Sequence, residues 1–120
     1  MPRVIRCTQD VAEVINRFGA HGASSVHLGS GTGESHAYLV HFDIGGEIGE
    51  HEAGFDQLFL VLSGTAWLTV DGDTVELNPG EAGLVPRGAR HAKGSMGGGT
   101  AVMFQTSDLT IDRGADPERR

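Results

Sequence analysis

Two histidines and one glutamine are the residues whose types and spacing suggest chemistry in this 120-residue chain. His51 and Gln57 lie in the stretch GEIGEHEAGFDQLFLVLSG, residues 46–64, at a spacing that suggests one wall of a metal pocket. His91 follows the turn Pro86-Arg87-Gly88. An imidazole with a pKa of about 6.5 exchanges protons at neutral pH, and imidazole nitrogens also bind divalent metals. The three side chains therefore suggest either acid–base chemistry or a metal site.

Strands must position these side chains. Residues two apart on a strand share a face, so Gln57, Phe59 and Val61 face one way and the leucines between them face the other. Both rows are largely apolar, which predicts a strand buried on both sides. If Gln57 faces the interior, His51 can face it from the preceding segment and His91 from an adjacent strand. The three side chains then converge in a pocket of the kind that small barrels use for ligands.

The rest of the chain from residue 25 onward is also predicted to form strands. Short β-branched or aromatic segments each end in Gly, Pro, Asp or Asn. Asp71-Gly72, between AWLTV and DTVEL, predicts a two-residue hairpin turn, because such a turn needs positive φ. Asn78-Pro79-Gly80 predicts a second turn. This pattern predicts an all-β sandwich or barrel.

One segment has helical periodicity. In TQDVAEVINRFG, the apolar residues Val11, Val14, Ile15 and Phe18 fall on one helical face. Thr8 could cap the start, and a following glycine could close the end. We therefore predict a short amphipathic helix over about residues 9–19, packed on the outside of the domain.

Composition excludes several classes of function. A net charge of −7 argues against a nucleic-acid partner, which needs a basic face for phosphates. The longest apolar run, residues 58–62, is far too short to span a bilayer, and the start has no apolar core of a signal peptide. The triple glycine at 97–99 lacks the lysine and helix of a phosphate loop, so no nucleotide cofactor is expected. We expect a cytoplasmic protein.

Two stretches together resemble the paired motifs of the cupin superfamily. The first has Gly45, His51, Gln57 and Gly64 in register, and the second has Gly80, Pro86, Gly88, His91 and Ser95. The short gap between them, residues 65–79, is similar to that of small single-domain bacterial cupins. The resemblance covers roughly residues 36–106 and implies a cupin or jelly-roll double-stranded β-barrel, here with the short N-terminal helix. We assign residues 1–24 to an N-terminal extension, 25–108 to the barrel and 109–120 to a polar tail.

The first motif departs from the family pattern at two ligand positions. Metal-binding cupins have two histidines and a glutamate in the first motif and a histidine in the second. In this chain Ala53 occupies the position of the second histidine, and Gln57 occupies the position of the glutamate. The resemblance thus leaves His51, Gln57 and His91 as the metal ligands, with Fe, Mn, Ni or Zn as the expected ion. Two imidazoles and an amide offer a divalent cation no anionic charge, which makes a poorer set than the family's own.

Three functions remain open from the sequence. The first is a divalent-metal-dependent enzyme, of oxygenase or isomerase/cyclase type, acting on a small oxygenated organic molecule inside the barrel. The second is a metal-free acid–base isomerase, epimerase or cyclase in which His51 and His91 are catalytic. The third is a non-catalytic module that binds a small molecule. Chelation separates the first from the second.

Flanking groups and the oligomer complete the expectations. Arg90 and Lys93 flank His91 and could attract an anionic substrate, but the plainer interpretation is two charges on a solvated rim. His36 is interpreted as a surface residue, and Tyr38 as core or pocket wall. Because the 58–62 strand is apolar on both faces, and small cupins commonly pair through sheet edges, a homodimer is expected. Neither a nucleic acid nor a membrane is an expected partner.

Overall fold

The alternating pattern of the sequence folds into two facing antiparallel sheets. The computed structural model describes residues 2–112. Over that range the chain forms eleven strands and one 3₁₀ helix, Gln9–Val11. The strands are β1 (Val4–Arg6), β2 (Glu13–Val14), β3 (Ser24–Ser25), β4 (Gly29–Phe42), β5 (Glu47–Glu52), β6 (Asp56–Gly64), β7 (Ala66–Val70), β8 (Asp73–Leu77), β9 (Glu81–Val85), β10 (Arg90–Gly94) and β11 (Gly99–Ile111).

Strand order places the two predicted motifs in opposite sheets. One sheet has five strands in the order β1-β9-β6-β11-β4, and the other has four in the order β5-β10-β7-β8. A separate two-stranded sheet joins β2 and β3. Gln57 on β6 therefore faces, across the interior, a sheet that carries His51 on β5 and His91 on β10. The fold is an all-β sandwich, as the sequence predicts.

The main core lies between the two sheets. The inward row of β6, Phe59 and Val61, packs with Leu68 and Val70 of β7 and with Leu77 of β8. Burying a side chain of this size stabilises the fold by about 1.5–3 kcal/mol. The predicted alternation along β6 is confirmed, because Leu58 belongs to a second cluster on the other face of the sheet.

That second cluster covers only part of the outer face of the five-stranded sheet. Ile5 of β1 packs there with Leu58, Leu84 and Ile111. Leu39 and Phe104 on the neighbouring strands remain exposed. An apolar strip of this face is therefore left without cover within the described part of one chain.

The hairpin predicted at Asp71-Gly72 is confirmed. Asp71 has φ of 48° and Gly72 has φ of 88°, the positive values that a primed two-residue turn requires. Val70 pairs with Asp73 directly across the turn. This hairpin connects β7 to β8 at the end of the sheet where β10 carries His91.

The predicted helix over residues 9–19 is wrong. Only Gln9–Val11 forms a single 3₁₀ turn, and Glu13–Val14 pairs instead with Ser24–Ser25 as a small hairpin. Phe18, in the connection between these strands, has φ of 59° and is 93% exposed. A helix this short is marginal in water unless its apolar face is buried. Because Val14 and Phe18 contact no core in the described chain, periodicity alone did not stabilise the helix.

The ends of the chain are arranged as follows. Strand β1 lies within the range predicted as an N-terminal extension and pairs with β9 at the edge of the five-stranded sheet. Strand β11 continues to Ile111. At the next residue, the carboxylate of Asp112 forms a hydrogen bond with the ring of His27. Residues 113–120 of the predicted polar tail lie outside the described residues. Over residues 2–112, no helix reaches the length and apolar character needed to cross a membrane.

Candidate functional site

The structure brings His51 and His91 together. His91 of β10 lies directly opposite His51 of β5 in the strand register. The centroids of the two imidazole rings are 4.3 Å apart, with an angle of 53° between the ring planes. Antiparallel pairing of β5 with β10 thus places side chains forty residues apart in sequence on one inward row.

His51 is the solvent-facing member of the pair. Its Nδ1 lies 2.8 Å from the backbone oxygen of Gly49. A carbonyl oxygen can only accept a hydrogen bond, so Nδ1 carries the hydrogen in this contact. In the neutral form of an imidazole with Nδ1 protonated, the other nitrogen, Nε2, can accept a proton or a hydrogen bond.

His91 is the buried member. Its side chain has no exposed surface, and neither ring nitrogen has a hydrogen-bond partner among residues 2–112. Burial, with smaller contributions from the charges of Lys93 and His51, lowers the pKa of His91 from 6.5 to about 4. The ring is therefore neutral at pH 7. A buried polar group without a partner costs free energy, so the His91 ring is an uncompensated polar group in the interior.

Gln57 faces the interior from β6, as its alternation with the outward leucines predicts. It is 3% exposed, and its Oε1 accepts a 2.8 Å hydrogen bond from the Nζ of Lys93. The amide oxygen at the ligand position of the first motif is thus occupied by an ammonium group. This contact crosses between the two sheets.

Lys93 is the residue that sequence reasoning misplaced. The interpretation of Lys93 as a solvated rim charge is wrong, because the residue is only 1% exposed. Burial lowers its pKa from 10.5 to about 8. It is also the only lysine in the chain. The available signal was the spacing, because Lys93 lies two residues after His91 on the same strand.

The surroundings of the Lys93 ammonium are neutral. Besides Gln57, the Nζ atom contacts the Met103 sulfur at 3.2 Å and lies 5.2 Å from the centroid of the Phe59 ring. No carboxylate within residues 2–112 forms an ion pair with it. A buried ammonium held only by an amide, a thioether and an aromatic face is an incompletely compensated charge.

Ala53 supplies no ligand. Its methyl group is buried in the main core. Its backbone nitrogen donates to the oxygen of Ala89 at 2.8 Å, and its backbone oxygen accepts from the nitrogen of Gly88 at 2.8 Å. These bonds fix the Pro86-Arg87-Gly88 turn beside the end of β5. The position therefore holds the loop that leads to His91.

Asp56, the nearest carboxylate to Gln57 in sequence, has a structural task. Its two oxygens accept from the backbone nitrogen of Arg87 at 2.8 Å and from that of Leu109 at 2.9 Å. Both oxygens thus bind backbone amides of neighbouring loops and strands. Asp56 positions the turn before β10 and is engaged away from the Lys93 ammonium.

An aromatic rim continues the inward row on the five-stranded sheet. His36 and Gln105 lie opposite each other in the register of β4 and β11, and Gln105 also lies opposite Gln57. The His36 ring packs edge-on against Phe55 at 5.6 Å and lies 6.3 Å from the ring of Tyr38. Both His36 and Tyr38 are exposed, so they form a rim and not a core.

A cleft approaches the same end of the sandwich. It has a volume of about 380 Å³ and includes Gln57, Val70 and Val85 in its lining. Val70 lies opposite His91 in the register, and Val85 lies opposite Gln57. The cleft therefore borders the strands that carry the buried polar groups.

This set of side chains does not fit a divalent metal. Nowhere in residues 2–112 are three or more His, Cys, Asp or Glu side chains grouped so as to hold a metal ion. The amide oxygen of Gln57 already accepts from an ammonium, and a second cation beside that ammonium would be repelled. Two imidazoles and this amide supply no negative charge to offset the repulsion.

The comparisons identify the class of protein. The family model described as Cupin domain matches residues 38–107, more than half of the chain. The chain therefore belongs to the cupin superfamily, as its two motifs and its paired sheets indicate. No curated protein matches it significantly.

Solved structures agree on the fold. A cupin superfamily protein from Desulfitobacterium hafniense is 26% identical, with a TM-score of 0.59, over 68% of this chain and 77% of that one. A conserved protein of unknown function from Streptococcus pyogenes is 25% identical, with a TM-score of 0.60, over 64% of this chain and 68% of that one. An RmlC-like cupin from Shewanella frigidimarina is 24% identical, with a TM-score of 0.58, over 71% of each chain, and supports the fold alone.

Proposed function

We propose that this cupin binds a small oxygenated organic anion at the polar end of its sandwich, without a divalent metal. The single observation that carries the proposal is the buried ammonium of Lys93, which has an amide oxygen as partner and no carboxylate within residues 2–112. His91 and His51, on the same sheet, would contribute hydrogen bonds to the ligand.

Electrostatics favour an anionic ligand at this position. A unit charge in a poorly solvated interior interacts several times more strongly with an opposite charge than it does in water. A ligand carboxylate or enolate can supply the negative charge that Gln57, Met103 and Phe59 lack. The two unpartnered nitrogens of His91 can meet further ligand oxygens or hydroxyls.

A thermal-shift panel tests the proposal. Small carboxylates, enols and neutral sugars are added to metal-stripped wild-type protein and to the Lys93→Met variant, which keeps a side chain of similar length without the charge. We expect carboxylates or enols to raise the Tm of the wild type and to lose that effect in the variant. Equal shifts in both proteins, or shifts with neutral sugars alone, would contradict an ammonium-anchored ligand.

Acid–base catalysis is the second candidate, and the paired imidazoles favour it. One ring is exposed and the other is buried and neutral at pH 7, with 4.3 Å between their centroids. Such a pair could move a proton between a bound ligand and solvent. Turnover of any ligand found above, measured with His51→Gln and His91→Gln, tests this role. A turnover rate unchanged in both variants would show that these histidines do not catalyse the reaction, and an absence of turnover in wild type would leave ligand binding without catalysis.

The metal-dependent alternative rests on His51, Gln57 and His91 as ligands. It expects one equivalent of Fe, Mn, Ni or Zn per chain after purification with added metal. Elemental mass spectrometry of wild type, His51→Ala and His91→Ala separates it from the proposal above. Metal that is present in the wild type and lost in both variants would favour the alternative.

We also propose that the chain forms a homodimer through the outer face of its five-stranded sheet. Leu39 and Phe104 on that face are exposed although they lie beside the second apolar cluster. Light scattering after size exclusion measures the mass, and Phe104→Glu is expected to shift a dimer to monomers. A monomeric wild type at micromolar concentration would refute the pairing.

A further inference from the structure

We propose that Lys93 is a buried cation that excludes divalent metals from the interior site predicted for His51, Gln57 and His91. Gln57 is its neutral partner, and the identities of these two residues together decide whether the site takes a metal. The inference concerns metal selectivity and stands apart from which organic ligand is bound.

The position of the ammonium is the first support. The Nζ atom of Lys93 lies 2.8 Å from the Oε1 atom of Gln57. A metal bound through an oxygen lies about 2.0–2.2 Å from it, so a metal on that oxygen would stand within about 5 Å of the ammonium. Two cations at that separation in a buried site repel strongly. A metal could bind Gln57 only if the lysine left.

The neighbours of the ammonium are the second support. Met103 sulfur and the face of the Phe59 ring hold the lysine from other directions, at 3.2 Å and at 5.2 Å from the ring centroid. Each of these groups is neutral and can accept a cation. The buried space therefore already contains one positive charge with three partners. Lys93 is only 1% exposed, so its ammonium group is not positioned to move into solvent when a metal approaches.

The identity of residue 57 fits the same arrangement. An amide oxygen accepts from an ammonium, whereas a carboxylate would form a buried ion pair with it. Both imidazoles are present and close together, with 4.3 Å between their centroids. The features that keep a metal out are therefore the charge at position 93 and the neutral group at position 57, and the histidines remain in place.

Metal titration of designed variants tests the inference. The proteins are wild type, Lys93→Met, the double variant Lys93→Met/Gln57→Glu, and that double variant with His91→Ala. Each is stripped with chelator and titrated with Ni²⁺ in a calorimeter, and circular dichroism with a cooperative melt confirms that each is folded. The His91→Ala member reports binding by other histidines and provides the background.

We expect wild type to show no binding above that background. Lys93→Met should bind Ni²⁺ at least tenfold more tightly than the weakest affinity that the titration of wild type would detect, and the double variant should bind one equivalent more tightly still. One-to-one binding of Ni²⁺ by wild type above the background set by the His91→Ala member would overturn the inference. A folded Lys93→Met protein that gains no affinity for Ni²⁺ would also overturn the inference. This single variant tests the inference even if the double variant does not fold.

Failure here is distinct from failure of the proposed function. Carboxylate-induced shifts in the Tm of metal-stripped wild type are measured without Ni²⁺. If those shifts are absent while Lys93→Met gains metal, the ligand proposal fails and the exclusion of metal stands. If those shifts are present while Lys93→Met gains nothing, the exclusion by charge fails and ligand binding stands.

Discussion

The ammonium of Lys93 and the side-chain amide of Gln57 join the two sheets of the sandwich through one buried hydrogen bond of 2.8 Å. Lys93 extends from the four-stranded sheet and Gln57 from the five-stranded sheet. Around them the interior is mostly aliphatic and aromatic. This bond therefore places one positive charge between the sheets and supplies it with a neutral oxygen partner.

Replacing Gln57 alone should weaken the fold. Gln57→Leu removes the only oxygen that contacts the ammonium in the described chain and leaves a buried charge uncompensated. We expect the free energy of unfolding to fall by about 2–3 kcal/mol. Urea denaturation at pH 7 measures it.

The matched double variant separates charge from packing. Lys93→Met/Gln57→Leu replaces the polar pair by apolar side chains of similar size. Such exchanges are often neutral or stabilising, so the double variant should regain the loss seen in Gln57→Leu or exceed wild type. A double variant less stable than Gln57→Leu would show that shape, and not charge, dominates at this position.

The stability of the protein should depend on His91 between pH 4 and 6.5. Burial and the nearby charges lower its pKa from 6.5 to about 4, so in this window the unfolded chain binds a proton that the folded chain does not. Stability therefore rises with pH through the window and is lost as pH falls. Denaturation midpoints at pH 4.5 and 7, compared with those of His91→Leu, measure the effect. The variant should show a smaller difference, and an equal one would refute the assignment to His91.

Lys93 should titrate well below an ordinary lysine. Burial lowers its pKa from 10.5 to about 8, so stability should rise with pH between these values as the folded state releases its proton first. Because the chain has a single lysine, one side-chain NMR signal reports the titration. We expect a midpoint near pH 8 in the folded protein and near 10.5 in denaturant. A folded-state midpoint above pH 10 would place the ammonium in solvent.

Gly64, the closing glycine of the first motif, should tolerate no side chain. Its φ is +70°, and a Cβ there would lie 2.2 Å from the backbone oxygen of Gly98. Gly45 is a matched control, with φ of +76° and open space around its Cβ position. We expect Gly64→Ala to cost about 3 kcal/mol or more and Gly45→Ala about 1 kcal/mol, since only the first adds a clash to the strain. Thermal or urea unfolding of both variants checks the difference.

The fold could be predicted from sequence because its signals are local. The alternation of residues along β6 predicts which face of the strand, including Gln57, points inward. The residue types of Asp71-Gly72 are enough to predict a hairpin turn. The helix prediction failed because the periodicity of Val14 and Phe18 says nothing about whether a surface is available to bury it. The backbone of Glu13–Val14 pairs with Ser24–Ser25 in a small antiparallel sheet instead.

The site could be predicted only in part. The meeting of His51 with His91 follows from the spacing of the two motifs, and the roles of these residues stay predictions. Lys93 was missed because charge suggests solvent, whereas its place two residues after His91 suggests the interior. An irregularity in the pairing of β10 with β5, between His91 and Lys93, further obscures the rule that residues two apart share a face.

The single lysine provides a natural probe for separation of the two sheets. The other basic side chains of the 120-residue sequence are arginines and histidines, so no second lysine competes for amine-directed reagents. Acylating probes would reach the Lys93 amine only when β10 separates from β6. The rate of labelling at this one side chain would therefore report how often the two sheets separate at Lys93, without any engineered tag.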